Sequence, residues 1–192
     1  DDQFTANDWS KYAEYRATRP LAVDDAVAPA NAERIDTRDQ VLDIVQQVKT
    51  LLDRSGITIP GRTDLEISHH YGIDSFFETG LTMLTVVNRA YCKKLLIMLP
   101  GQSHPEQYHK SKDETFHLLY GDLHLQLDGV TMECSPGDVV TVDPEVRHAF
   151  STRQGAVIEE ISSTHCKDDS YYVDSTINDK KNRKTLLSYW LD

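Results

Sequence analysis

From Leu65 onward the chain is cut by turn residues into strand-length apolar runs, and that period leaves it few folds to choose from. Runs suited to strands fall at 65–68, 82–88, 93–99, 115–120, 122–127, 131–133, 138–142, 147–152 and 156–163. Asp128-Gly129 is a tight hairpin signal and Pro136-Gly137 marks a second turn. Many short strands with such punctuation predict a mainly β sandwich or barrel. One helix precedes them. Over 36–52, Thr37 and Gln40 form a capping box, and Val41, Ile44, Val45, Val48, Leu51 and Leu52 recur at intervals of three and four before Gly56. The apolar face of that helix is expected to lie against the barrel.

The two ends of the chain carry weaker patterns. Residues 7–17 suit a short helix capped by Asn7 or Asp8, with Trp9, Tyr12 and Arg16 at helical spacing. Residues 18–35, rich in Ala, Pro and Asp, read as a linker. The expected division is a 1–35 extension and one domain over 36–192, since 192 residues bury one good core. Near the other end Lys180, Lys181, Arg183 and Lys184 form a basic cluster, read as a solvated tail with an anion site as the alternative. Tyr189, Trp190 and Leu191 are apolar enough to dock on the barrel or on a second subunit. A start at Asp1-Asp2 reads as a trimmed or excised piece of a longer chain.

Charge and cysteine usage exclude several classes of function. A formal net charge of -11 disfavours nucleic acid or an anionic membrane surface as partner, because either needs a basic stripe. No apolar run is long enough to span a membrane, and no basic-then-apolar leader opens the chain. The 3 cysteines, Cys92, Cys134 and Cys166, are scattered without a CxxC, which suggests free thiols and a cytoplasmic setting.

Chemistry concentrates in GQSHPEQYHKSKDETFHLLYG, residues 101–121, and in GDVVTVDPEVRH, which ends at His148. His109 lies five positions before Glu114, and Glu114 seven before Gly121. Two imidazoles and a carboxylate from neighbouring strands can converge on one divalent cation and leave positions open for substrate. Lys112, between His109 and Glu114, can lean over the pocket, where desolvation beside a cation is expected to lower its pKa. In the strand GAVIEEIS, alternation turns either Glu159 or Glu160 inward, and a carboxylate inside a barrel is costly unless paired or working. Adjacent His69 and His70 would face opposite sides of a strand, so at most one reaches the site. His117, His124 and His165 read as structural or surface residues.

These segments resemble the two motifs of the cupin superfamily. The resemblance implies a double-stranded β-helix, or jelly roll, holding one divalent metal ion (Mn, Fe, Co, Ni or Zn). On the family pattern the metal ligands are His109, Glu114 and His148, with Gln107 standing where the first motif supplies another histidine. His104 is an alternative ligand, off the usual register. In the second motif Gly137 and His148 fit, while Asp143, Glu145 and Thr152 replace the expected proline, glycine and asparagine.

A nearer resemblance is to cupin sugar isomerases of the lyxose-isomerase type, with their H-x-H-x-x-K-x-E motif and a later Glu-x-Ser strand. Here His109, Lys112 and Glu114, then Glu160 and Ser162, hold those positions, which implies catalytic roles for Lys112 and Glu160. More closely still, residues 64 to about 176, with LEISHHYG, CKKLLIMLPGQ, DETFHLLYGDL and EEISSTH, resemble the cupin domain fused to N-acetylneuraminate-synthase-like enzymes.

Three functions follow as expectations. The first is an aldose-ketose isomerase or epimerase acting on a sugar or sugar acid. The second is a non-catalytic sugar-binding or regulatory domain of a sialic-acid-synthase-type enzyme, within a larger synthase chain. The third is an iron-dependent dioxygenase. A homodimer is expected, because pairing through sheet edges covers exposed edge strands.

Overall fold

The computed structural model describes residues 28–190 except positions 62, 167, 181 and 189, with side chains from residue 37 onward. The short helix expected over 7–17 and most of the 18–35 linker lie outside the described residues. Helix α1 (Ala28–Ser55) comes first. The strands are β1 (Leu65–Ser68), β2 (Leu81–Asn88), β3 (Tyr91–Met98), β4 (Ser103–Tyr108), β5 (Glu114–Gly121) and β6 (Leu123–Leu127). They continue as β7 (Val130–Cys134), β8 (Val139–Val142), β9 (His148–Ser151), β10 (Ala156–Ser163), β11 (Tyr171–Tyr172) and β12 (Lys184–Leu187). Short helices α2 (Phe76–Thr79) and α3 (Ser175–Asn178) fill connections.

Each strand expected from the sequence is present to within two residues, and β4, β11 and β12 are additional. The strands form a seven-stranded sheet, β12-β1-β2-β3-β10-β5-β8, facing a five-stranded one, β11-β4-β9-β6-β7. The result is the expected jelly roll with one N-terminal helix.

Helix α1 begins earlier than the capping box implies. Ala28, Ala30 and Ala32 favour helix and Pro29 is tolerated in a first turn, so the helix continues upstream through 28–35 and leaves Thr37 inside it. Gln40 does not cap; its side-chain amide donates to Asp74 Oδ1 at 2.8 Å. The inner face of α1 is as expected. Ile44, Val45, Val48, Leu51 and Leu52 are buried against Leu65, Ile67, Leu84, Leu95 and Ile97 on the outer face of the large sheet. Each such side chain contributes about 1.5–3 kcal/mol relative to exposure.

A second core lies between the sheets, built from Leu96, Met98, Phe116, Leu118, Leu125, Phe150 and Ile158 among others. Strand β3 therefore buries both faces, which is why its sequence runs apolar without alternation. Trp190 closes the helix side, where its indole N–H donates to the Thr63 carbonyl at 2.8 Å. The expected docking of the C-terminal apolar residues on the barrel is met at this position.

Two turns carry backbone that the sequence signals. Asp128 and Gly129 both have positive φ, 45° and 83°, as a primed hairpin turn between β6 and β7 demands. Gly121 has φ 87°, and a Cβ there would sit 1.8 Å from the Gly155 carbonyl oxygen. Only glycine lets β5 run this close to the start of β10.

Candidate active site

Four strands and one loop assemble the site. On β10 the inward row is Ala156, Ile158, Glu160 and Ser162, while Glu159 faces out and pairs with Lys93 at 2.7 Å and His117 at 3.2 Å. Alternation thus resolves in favour of Glu160. In the sheet register Glu160 lies opposite Lys94 of β3 and Phe116 of β5, and Ser162 lies opposite Glu114. Glu114 opens β5 and His148 opens β9, so both stand at the same end of the barrel. His109 follows β4 directly, and Gln107, within β4, pairs with His148 in register.

His109, Glu114 and His148 present ligand atoms within 4.8 Å of one another, and all three are buried. Each imidazole is turned by its other nitrogen. The Nδ1 of His109 donates to the Asp169 carbonyl and that of His148 to the Val146 carbonyl at 3.1 Å, so each Nε2 is left as a lone pair. Those Nε2 atoms lie 3.3 Å from opposite oxygens of Glu114. Acceptors therefore face acceptors, and His109 Nε2 and Glu114 Oε2 are buried without a hydrogen-bond partner. A divalent cation satisfies such a set, so the residues fit the metal that the sequence implied. Gln107 Nε2 is 3.3 Å from His148 Nε2, and rotation of the amide would present its oxygen there instead.

Electrostatics keep this set in its ligating state. Burial pushes the His148 pKa down, which favours the neutral imidazole. Burial alone would raise the Glu114 carboxyl, but the charge of the adjoining Lys112 ammonium opposes it, and the net shift is well below the usual carboxylate range. His104 does not join the cluster. It is buried, stacks on Phe150 at 4.5 Å between ring centroids and meets His70 edge-on at 4.7 Å.

Lys112 lies between two carboxylates. Its ammonium is buried and pairs with Glu114 and, at 3.1 Å, with Glu160. Desolvation alone would lower its pKa as expected, but the Glu160 and Glu114 charges outweigh it and the net shift is upward. The group is an ammonium in this arrangement, not a neutral amine. Glu160 also accepts from Lys94 at 3.4 Å and from the Ser162 hydroxyl at 3.1 Å.

Gln107, His109, Lys112, Glu114 and Glu160 line one cavity, together with Lys94, His165, Tyr172, Arg183 and Lys184, which the sequence reading left out of the site. Lys94 is legible by the same alternation as Glu160, since one of two adjacent lysines in the apolar strand YCKKLLIM must also turn inward. His165, read as structural or surface, instead sets its Nδ1 3.3 Å from Lys94 Nζ. Arg183 and Lys184, read as solvated tail, stand at the cavity because β12 pairs with β1. Of the adjacent pair, His70 lines the cavity and His69 turns to Thr185 at 3.2 Å.

Comparison with known proteins agrees with this geometry. Residues 94–159 match the family model described as Cupin domain. The barrel has the cupin fold. Among curated relatives, this chain is 29% identical to the D-lyxose/D-mannose isomerase of Thermosediminibacter oceani, over 69% of this chain and 90% of that protein. It is 24% identical to the D-lyxose ketol-isomerase of Cohnella laeviribosi, over 68% and 88%. Among solved structures, ligand-free L-ribose isomerase of Cellulomonas parahominis superposes with a TM-score of 0.63 at 13% identity, covering 73% of this chain and 94% of that one. The Geodermatophilus obscurus L-ribose isomerase gives 0.61 at 14% identity, with the same coverage of 73% and 94%. At such identities the structural likeness speaks for the fold.

Proposed function

We propose that this cupin is a metal-dependent aldose-ketose isomerase acting on a sugar or sugar derivative. The observation that carries the reading is the buried ammonium of Lys112 between Glu114 and Glu160, which sets a charged base and a proton donor beside the His109, Glu114 and His148 cluster. The names of the curated relatives point the same way. His109, Glu114 and His148 would hold the ion, with Gln107 as a fourth, weaker or water-mediated ligand. The ion, when bound, supplies Lewis-acid polarisation of the carbonyl and neighbouring hydroxyl.

The remaining chemistry belongs to side chains. Glu160, as carboxylate, takes the proton from the carbon next to the carbonyl and returns it to the former carbonyl carbon. Lys112 gives a proton to the first oxygen and recovers one from the second hydroxyl, so the aldehyde becomes a primary alcohol and the secondary alcohol a ketone. Lys94 and the Ser162 hydroxyl, both on Glu160 Oε1, fix that carboxylate in place. Burial of the site excludes bulk water while the proton is in transit.

The test is product analysis. Protein loaded with each of Mn, Fe, Co, Ni and Zn is incubated with a panel of aldoses and sugar acids, and ketose is sought by carbon NMR. Ketose from at least one aldose is expected. Sugar binding without ketose under every metal would instead make the barrel a binding module.

A further inference from the structure

The basic cluster near the end of the chain divides in the fold. Lys180 is exposed, with its ammonium 5.5 Å from the Tyr71 ring, whereas Arg183 and Lys184 turn to the cavity. Among the described residues the cavity wall holds four permanent cations, Lys94, Lys112, Arg183 and Lys184, against two carboxylates, Glu114 and Glu160. In a chain of formal net charge -11 this is a local inversion of sign.

The four are not equivalent. Lys94 and Lys112 share Glu160 at 3.4 and 3.1 Å, and Lys184 is taken up by Glu66 at 2.6 Å. Arg183 has no carboxylate partner among the described residues. Its guanidinium lies 4.8 Å from the ring centroid of Tyr172, a buried residue opposite Gln107 in the β11–β4 register. The backbone carbonyl of Arg183 accepts from the His69 N–H at 2.9 Å, so a strand edge, not a loose tail, sets its position.

A half-buried guanidinium without a carboxylate, held over an aromatic ring and facing a cavity, suits a planar or tetrahedral oxyanion better than a hydroxyl. We propose that the sugar carries an anionic group, a carboxylate or a phosphate, remote from the reacting carbons, and that Arg183 receives it. This deepens the isomerase reading and rests on it for the sugar. The His109, Glu114 and His148 cluster handles the carbonyl, and Arg183 sets the substrate class by its charge.

Binding tests this separately from turnover. Metal-loaded protein is titrated calorimetrically with D-mannose, D-mannose 6-phosphate and D-mannuronate, which share one sugar frame and differ at the far carbon. A charged hydrogen bond of ~1.5–3 kcal/mol gives at least one anionic sugar roughly tenfold or greater preference over mannose. Preference for mannuronate identifies a carboxylate, and preference for the 6-phosphate a phosphate. Arg183→Met should bring the ratio down to about threefold or less, Arg183→Lys should leave an intermediate ratio, and Lys180→Met should retain it.

Equal binding of neutral and anionic sugars, a preference that survives Arg183→Met, or no binding of either anionic sugar overturns the proposal. Ketose formation is followed in the same samples. Selective binding without ketose retires the isomerase reading and leaves the anion site standing, while ketose with equal binding does the reverse.

Discussion

Lys112 Nζ stands 3.1 Å from Glu160 Oε1 and also contacts Glu114 Oε1, so one buried ammonium joins a candidate metal ligand to the candidate base. Two buried carboxylates that close would repel, and one would take up a proton. The lysine places a positive charge between them. A loop residue two positions before Glu114 therefore ties two strands together.

Metal content follows directly. Purified protein is expected to hold about one divalent ion per chain, as one three-residue cluster can supply. Elemental analysis should show that His148→Ala loses the ion while far-ultraviolet circular dichroism keeps the β signature. Gln107→His should tighten binding, since imidazole is the better ligand for late first-row ions. Full occupancy in a variant lacking both His109 and His148 would place the ion elsewhere.

Gly121→Ala should destabilise the barrel without touching the site. The new Cβ would lie 1.8 Å from the Gly155 carbonyl and hold a residue at φ 87°. The backbone conformation alone costs on the order of 1–3 kcal/mol, and the clash adds to it. Urea unfolding should show a lowered midpoint with an unchanged slope; a midpoint equal to the parent's would mean that the β5–β10 approach relaxes freely.

Stability should also fall on mild acidification, through His70. Its side chain is 1% exposed, and burial pushes its pKa from 6.5 to about 4, assisted by the charges of Arg183, Lys184 and His69 and opposed by its hydrogen bond to the Thr79 carbonyl. The edge-on ring of His104 and the tilted ring of Tyr172 complete its surroundings. A folded pKa below the unfolded one means that, between pH 6.5 and about 4, the unfolded chain binds the proton that the folded one refuses. Stability is full above that window and declines through it by on the order of 3 kcal/mol. His70→Gln should flatten the slope in pH-resolved urea unfolding, and an unaltered slope would remove His70 as its source.

The strands of the barrel could be read in the sequence because their pattern is set by burial on one or both faces. Strand β4 could not. Ser103–Tyr108 contains Pro105 and the polar His104, Glu106 and Gln107, because its surroundings include the site rather than a plain apolar core. β12 escaped notice for a similar reason: Lys184 and Thr185 look like tail, and only pairing with β1 makes them a strand. His109, Glu114 and His148 were found through motif spacing, which the fold must keep to hold an ion. Arg183 has no such spacing, since its distance along the chain from the cluster is bridged by tertiary pairing alone. The pairing of Lys112 with Glu160 was not legible either, because the two lie 48 positions apart.

Exchange with solvent at carbon tests the central claim most directly. Metal-loaded protein in deuterium oxide is given D-lyxose, D-mannose, D-mannose 6-phosphate and D-mannuronate, and deuterium at the carbon beside the carbonyl is read by proton NMR. The parent should label at least one sugar, while Glu160→Gln, with its metal retained, should label it at least ~100-fold more slowly. Sugars that bind but never acquire deuterium, or undiminished labelling by Glu160→Gln, would contradict the account.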